Sequence, residues 1–110
     1  MRPRNVSVPV YELTEEADTD LQEIVRYTIS RWGIEQARKY EALLEGHFLA
    51  IGRNKIRTKD FFQNRPEVRV SRAEHHYVFH LVREGKCPLI LAVFHENMNL
   101  MAQLRKRLAS

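Results

Sequence analysis

The apolar residues of this chain follow a 3.6-residue period as far as Ile51 and a two-residue period from Glu67 onward. That single change of period limits the folds open to it, because helices come first and strands after them. Ala17, Leu21, Ile24, Val25, Thr28 and Trp32 fall on one helical stripe, with Asp20, Glu23 and Arg31 mostly off it. Thr14 is placed to cap the start, and Glu15, Glu16 and Asp18 put negative charge in the first turn, where the helix dipole favours it. Gly33 is a natural stop, since glycine takes the left-handed conformation that follows a last turn. A second stripe starts at once: Ala37, Tyr40, Leu44, Phe48 and Ile51, with Leu43 and His47 beside it, ending at Gly52 and Asn54. Two helices joined this tightly fold back as an antiparallel hairpin.

The strands frame that hairpin. Residues 6–13 alternate and read as a short strand, and Pro9 assigns it an edge position or a late start. Residues 54–66 show no clean period and are expected to form a basic loop, pinned to the core by Phe61 and Phe62. Residues 67–72 alternate as a half-buried strand. In the next strand His76, Val78, His80 and Val82 take one face, and His75, Tyr77, Phe79 and Leu81 the other. After a turn at Gly85, residues 89–94 are continuously apolar, as in a strand covered on both faces. Met98, Met101, Leu104 and Leu108 then return to a helical stripe that ends in Arg105, Lys106 and Arg107. The expected order is β-α-α-β-β-β-α. This is a single α+β domain over residues 1–110, with an antiparallel sheet packed on the N-terminal hairpin. The last helix either covers the other face or projects.

Composition narrows the function classes. No apolar stretch approaches the roughly 20 residues that cross a bilayer. The N-terminus is not followed by a signal-type apolar run, so a cytoplasmic location without membrane contact is expected. The single cysteine, Cys87, rules out an internal disulfide and fits a reducing compartment. It lies in a turn, where an incidental residue is a better reading than a reactive thiol. The net charge of +4 is unevenly distributed. Residues 12–45 carry nine acids against four bases, whereas residues 53–72 carry seven bases against Asp60 and Glu67. Such a basic half suits nucleic acid, an acidic partner peptide or plain solvent.

Three stretches of the sequence resemble the RelE/ParE toxin superfamily, most closely the plasmid-stability ParE type. They are the helix entry at residues 11–21, the helix corner at residues 27–33 with Gln36, Ala37 and Tyr40, and above all residues 69–100. The last of these holds Val70-Ser71-Arg72, Glu74-His75-His76-Tyr77-Val78-Phe79 and Phe94-His95-Glu96-Asn97-Met98-Asn99-Leu100. Asn97 and Asn99 depart from the arginine and aspartate more usual there, which puts a local salt bridge in doubt. The resemblance implies a toxin that stalls DNA gyrase on cleaved DNA without a catalytic group, metal or cofactor of its own. It also implies neutralisation by a ParD-like antitoxin with a ribbon-helix-helix head and an acidic tail. Under it, Arg69, Arg72, Met98, Leu100, Met101 and Arg105 are candidates for target contact. Leu21, Ile24, Val25, Tyr40 and Leu44, with Arg69 and Arg72, are candidates for antitoxin contact. For Leu21, Val25 and Leu44 a place in the core is the favoured reading.

Two other chemistries compete. RelE-type toxins cleave messenger RNA on the ribosome, which requires a base, positive charge for the phosphorane and an acid. Arg69 and Arg72 would hold the phosphate, and His76, His80 or His95 would move the proton. The segment after Asn97, however, lacks tyrosine and histidine and suits docking better. A metal site among His75, His76, His80 and His95 is disfavoured, because neighbours on a strand face opposite ways. Packed or hydrogen-bonded histidines are the better reading. A repurposed partner that only binds its antitoxin remains a third class. For contact with gyrase-bound DNA, the basic run from Arg53 to Arg72 and the tail of Arg105, Lys106 and Arg107 are the candidates. If the tail docks, deletion from Met98 onward abolishes poisoning.

Overall fold

The computed structural model describes residues 9–109. Strand β1 (Glu12–Leu13) leads into α1 (Glu15–Trp32) and α2 (Ile34–Gly52), followed by β2 (Lys59–Phe62), β3 (Arg65–Ala73), β4 (His76–Leu81), β5 (Leu89–His95) and α3 (Leu100–Ala109). The Thr14 side chain caps α1 by accepting from the Ala17 amide at 3.0 Å. Gly33, alone between the two helices, has φ 92°. A side chain there would be strained, which is why the corner falls on glycine. Asn54, at φ 55°, turns the chain out of α2.

The sheet has five strands in the order β1-β5-β4-β3-β2. β5, β4, β3 and β2 are successively antiparallel. β1 departs from the expected antiparallel sheet, because it runs parallel to β5, with Glu12 opposite Leu89 and Leu13 opposite Ile90. The sheet is therefore mixed. Of the strand expected at residues 6–13, residues 6–8 lie outside the described residues, and within 9–13 the ladder is formed by Glu12 and Leu13. The expected loop at residues 54–66 contains β2 and the start of β3. β2 escapes a period reading because it is four residues long, lies at the sheet edge and carries a register shift between Asp60 and Phe62.

The sheet separates two cores. Towards the hairpin, Ala17, Leu21, Leu44, Phe48 and Ile51 pack on Ala73, Val78, Ile90 and Val93. Towards α3, Leu104 is fully buried against a layer holding Val68, Phe79, Leu91, Ala92 and Phe94. α3 thus covers the second face, and a side chain of leucine size buried this way contributes roughly 1.5–3 kcal/mol. Leu100 and Leu108 pack inward with Leu104, while Met98 and Met101 stay exposed. The alternation expected in β4 holds, with His76, Val78 and His80 on the hairpin side. A register shift between Phe79 and His80 lets Leu91 and Ala92 both serve the α3 side.

β1 is too short to cover β5, and side chains complete that edge. Asp20 of α1 accepts from the Val93 amide at 2.9 Å. Arg107 of α3 donates to the Leu91 carbonyl at 2.9 Å and grips Asp20 through two nitrogens, each at 3.0 Å. Its guanidinium also lies over the Phe94 ring. At Arg107 the basic end of the chain is a clasp joining α1, β5 and α3. Truncation at Met98 would remove both Leu104 and this clasp, so it tests folding before it tests docking.

Candidate functional site

An open groove of ≈ 960 Å³ lies between the tip of the hairpin and the end of the sheet. α1 contributes Ile24, Tyr27 and Trp32, and α2 contributes Gln36 and Tyr40. The starts and ends of β4 and β5 contribute His76, Val93 and His95, and the turn before α3 contributes Met98. Trp32 is 67% exposed and Tyr27 61%, so the last two turns of α1 carry their aromatic residues outward. Trp32 therefore leaves the core stripe predicted for it. The hairpin corner extends past the sheet there, and no element covers it among the described residues.

A hydrogen-bonded cluster forms the groove floor. The Tyr40 hydroxyl lies 2.6 Å from Nδ1 of His76 and accepts from the His75 amide at 3.3 Å. The His76 and His95 rings meet edge to face at 5.2 Å. Glu96 receives Nδ1 of His75 at 3.1 Å and the Arg72 guanidinium. The hydrogen bond from His75 leads the causes that hold its carboxyl below the usual range. Burial pushes His76 down to about 4, with His95 and His75 adding to the effect, so it is neutral at ordinary pH. Burial also raises Tyr40. Asn97 supplies its amide to Nδ1 of His95 at 3.1 Å. Asn99 caps α3 by accepting from the Ala102 amide at 3.1 Å, so its amide oxygen does the work of a capping aspartate.

The structure separates residues that the sequence reading grouped. Arg69 and Arg72 lie three positions apart on β3 and so face opposite sides of the sheet. Arg69 is held by Thr58 and Asp60, and Arg72 by Glu96, Tyr77 and the Glu74 carbonyl. They do not form a common phosphate clamp, as the ribonuclease reading required. His80 is buried and also pushed down to about 4, chiefly by burial, and it lies away from the groove. Among the antitoxin candidates, Leu21 and Leu44 are core residues, at 4% and 0% exposure. Ile24 and Tyr40 line the groove, and Val25 is half-buried. Among the target candidates, Met98 lies in the groove, Met101 and Arg105 are exposed on α3, and Leu100 packs inward. Among the described residues, no group of three His, Cys, Asp or Glu is arranged to hold a metal ion. No helix among them is long and apolar enough to cross a membrane. The Asp20–Arg107 clasp had no sequence signal, because its partners are 87 positions apart.

A helical hairpin, then the strands of one sheet, then a C-terminal helix make the layout implied by the RelE/ParE resemblance. A family model described as "ParE toxin of type II toxin-antitoxin system, parDE" matches residues 11–100, and the chain belongs to that family. It is similar to Toxin ParE of Escherichia coli, with 44% identity over 98 residues covering 89% of this chain and 95% of the relative. It is also similar to Toxin ParE1 of Caulobacter vibrioides, at 32% identity over 94 residues, covering 86% and 96%. A solved structure described as "Chromosomal ParDE TA system from P. aeruginosa" matches with a TM-score of 0.65 at 21% identity. It covers 77% of this chain and 92% of that one, and the likeness is one of fold.

Proposed function

We propose that this ParE-family toxin poisons DNA gyrase, stabilising cleaved DNA and blocking replication, and that a ParD-like ribbon-helix-helix antitoxin neutralises it by direct binding. The groove carries this reading. Inhibition by binding needs an exposed apolar surface with large anchors, and Tyr27, Trp32 and Met98 provide one. Methionine adapts to irregular partner surfaces. The description of the P. aeruginosa structure as a ParDE system supports an antitoxin partner. Against the alternative of a ribosome-dependent messenger RNA endoribonuclease stand the divergent Arg69 and Arg72 and the burial of His76 and His80.

The test is a supercoiling and cleavage assay with purified gyrase, ATP, plasmid and folded toxin, with and without antitoxin. Linear, protein-linked DNA that disappears on adding antitoxin is expected. Trp32→Ala and Met98→Ser should reduce it while leaving the fold intact. Normal supercoiling without cleavage would overturn the proposal and turn attention to ribosomal messenger RNA, with His75 and His95 as the first residues to test.

A further inference from the structure

Among the described residues, the largest block of unpaired positive charge lies at the opposite end of α2 from the groove. From Tyr40, the groove residue nearest that end, α2 runs on for about 18 Å to Gly52. Beyond Gly52, the side chains of Arg53, Lys55, Arg57 and Lys59 are all exposed. None of the ion pairs among the described residues involves them. Their spacing follows from what lies between them. Ile56 packs into the hairpin core, and Thr58 is bound by Arg69 through its hydroxyl at 3.0 Å and its carbonyl at 2.7 Å. With positions 56 and 58 turned inward, the cations at 55, 57 and 59 form an outward row on alternate residues. The nearby carboxylate of Asp60 is itself paired with Arg69.

We propose that Arg53, Lys55, Arg57 and Lys59 form a contact stripe for the phosphate backbone of duplex DNA. Arg69 acts as its positioning residue, fixing the segment through Thr58 and cancelling the charge of Asp60. An acidic peptide fits this surface less well. Protein interfaces centre on apolar anchors, and the large exposed hydrophobic residues all lie elsewhere, from Tyr27 to Leu43 and at Val82, Met98 and Met101. Strand addition at β2 is hindered by its shortness, its register shift and Lys59, which are common devices for protecting a sheet edge. Single strands need aromatic platforms, but Phe61 and Phe62 are turned against each other and against Phe79. Charge without anchors is the pattern of sequence-independent phosphate contact. The placement leaves the groove free for a protein partner while DNA is held at the other end. This goes beyond the gyrase reading and does not depend on it.

The experiment is fluorescence anisotropy of a labelled mixed-sequence duplex with the full chain, between about 50 and 200 mM salt. Four phosphate contacts predict a log–log salt slope of about −3.6, and Lys55→Gln/Arg57→Gln/Lys59→Gln should reduce it to about −0.9. The variant Arg26→Gln/Arg38→Gln/Lys39→Gln removes the same charge from the hairpin and should bind as the parent does. Arg69→Ala should weaken binding about fivefold, the scale of one exposed charge interaction, and adding Asp60→Asn should restore most of the loss. Far-UV circular dichroism checks the fold of each variant. An absence of salt-dependent duplex binding, an equal loss in the hairpin variant, or tighter binding of a labelled acidic peptide than of the duplex would each overturn the proposal. Gyrase takes no part in the assay, so such a result leaves the poisoning mechanism to its own test.

Discussion

Replacing Asp20 with alanine should cost far more than its place on a mostly polar helix face suggests. The carboxylate accepts two bonds from Arg107 and one from the Val93 amide, and the pair is largely shielded, with side-chain exposures of 12% and 20%. Removing one partner of a fully buried pair costs roughly 3–5 kcal/mol, because the other charge is left unpaired. Residual exposure lowers the expectation here to about 3 kcal/mol, most of it from the stranded guanidinium and the unpaired β5 amide. For a chain of this size that is a fall in Tm of about 12 °C or more. Arg107→Ala should cost about 2 kcal/mol, since Asp20 keeps the Val93 bond and reaches solvent. Asp20→Ala/Arg107→Ala should then cost about 3 kcal/mol, a coupling of about 2 kcal/mol. Urea melts at neutral pH, followed by far-UV circular dichroism, supply all four corners of the cycle. Single effects that simply add, or a loss below about 1 kcal/mol for Asp20→Ala, would refute the view that the clasp substitutes for a missing strand.

Acid should weaken the fold through its two buried histidines. His76 faces His75, His95 and Glu96, and His80 faces His47 and Arg69; both are pushed down to about 4, chiefly by burial. Their folded pKa lies below the unfolded value of about 6.5, so the unfolded chain takes up protons first as pH falls. Stability is complete well above about 6.5 and is lost as pH falls towards 4, by about 3 kcal/mol between pH 7.5 and roughly 5.5 for the two groups together. Melts across that range check this, and His80→Leu should flatten the dependence by about half. Two glycines should respond in opposite directions to alanine. A Cβ at Gly52 would run into the Val10 carbonyl, so Gly52→Ala should cost about 1–3 kcal/mol. Gly46 has nothing within 4 Å of such a Cβ and lies inside α2, so Gly46→Ala should stabilise by up to about 1 kcal/mol in the same melts.

The helical hairpin, its Thr14 cap, the Gly33 corner and the alternation of β3 and β4 were legible because they are local. Each depends on spacing or conformation within a few residues, and burial of one face reinforces the pattern. The same logic misplaced Trp32, since a stripe shows which residues share a face but not where the covering element ends. β2 was missed because a short, bulged edge strand buries too little to leave a period. The candidate site was legible only in pieces. Met98 and Tyr40 belong to one groove, whereas Arg69 and Arg72, close in sequence, face opposite sides of the sheet. By itself, the sequence determined the order of every element except β2, and most of the core, because periodic burial is written residue by residue. Only the tertiary structure decided the parallel pairing of β1, the Asp20–Arg107 clasp and the outward row of cations beyond α2. Those depend on contacts between segments distant in the chain, and no local pattern encodes them.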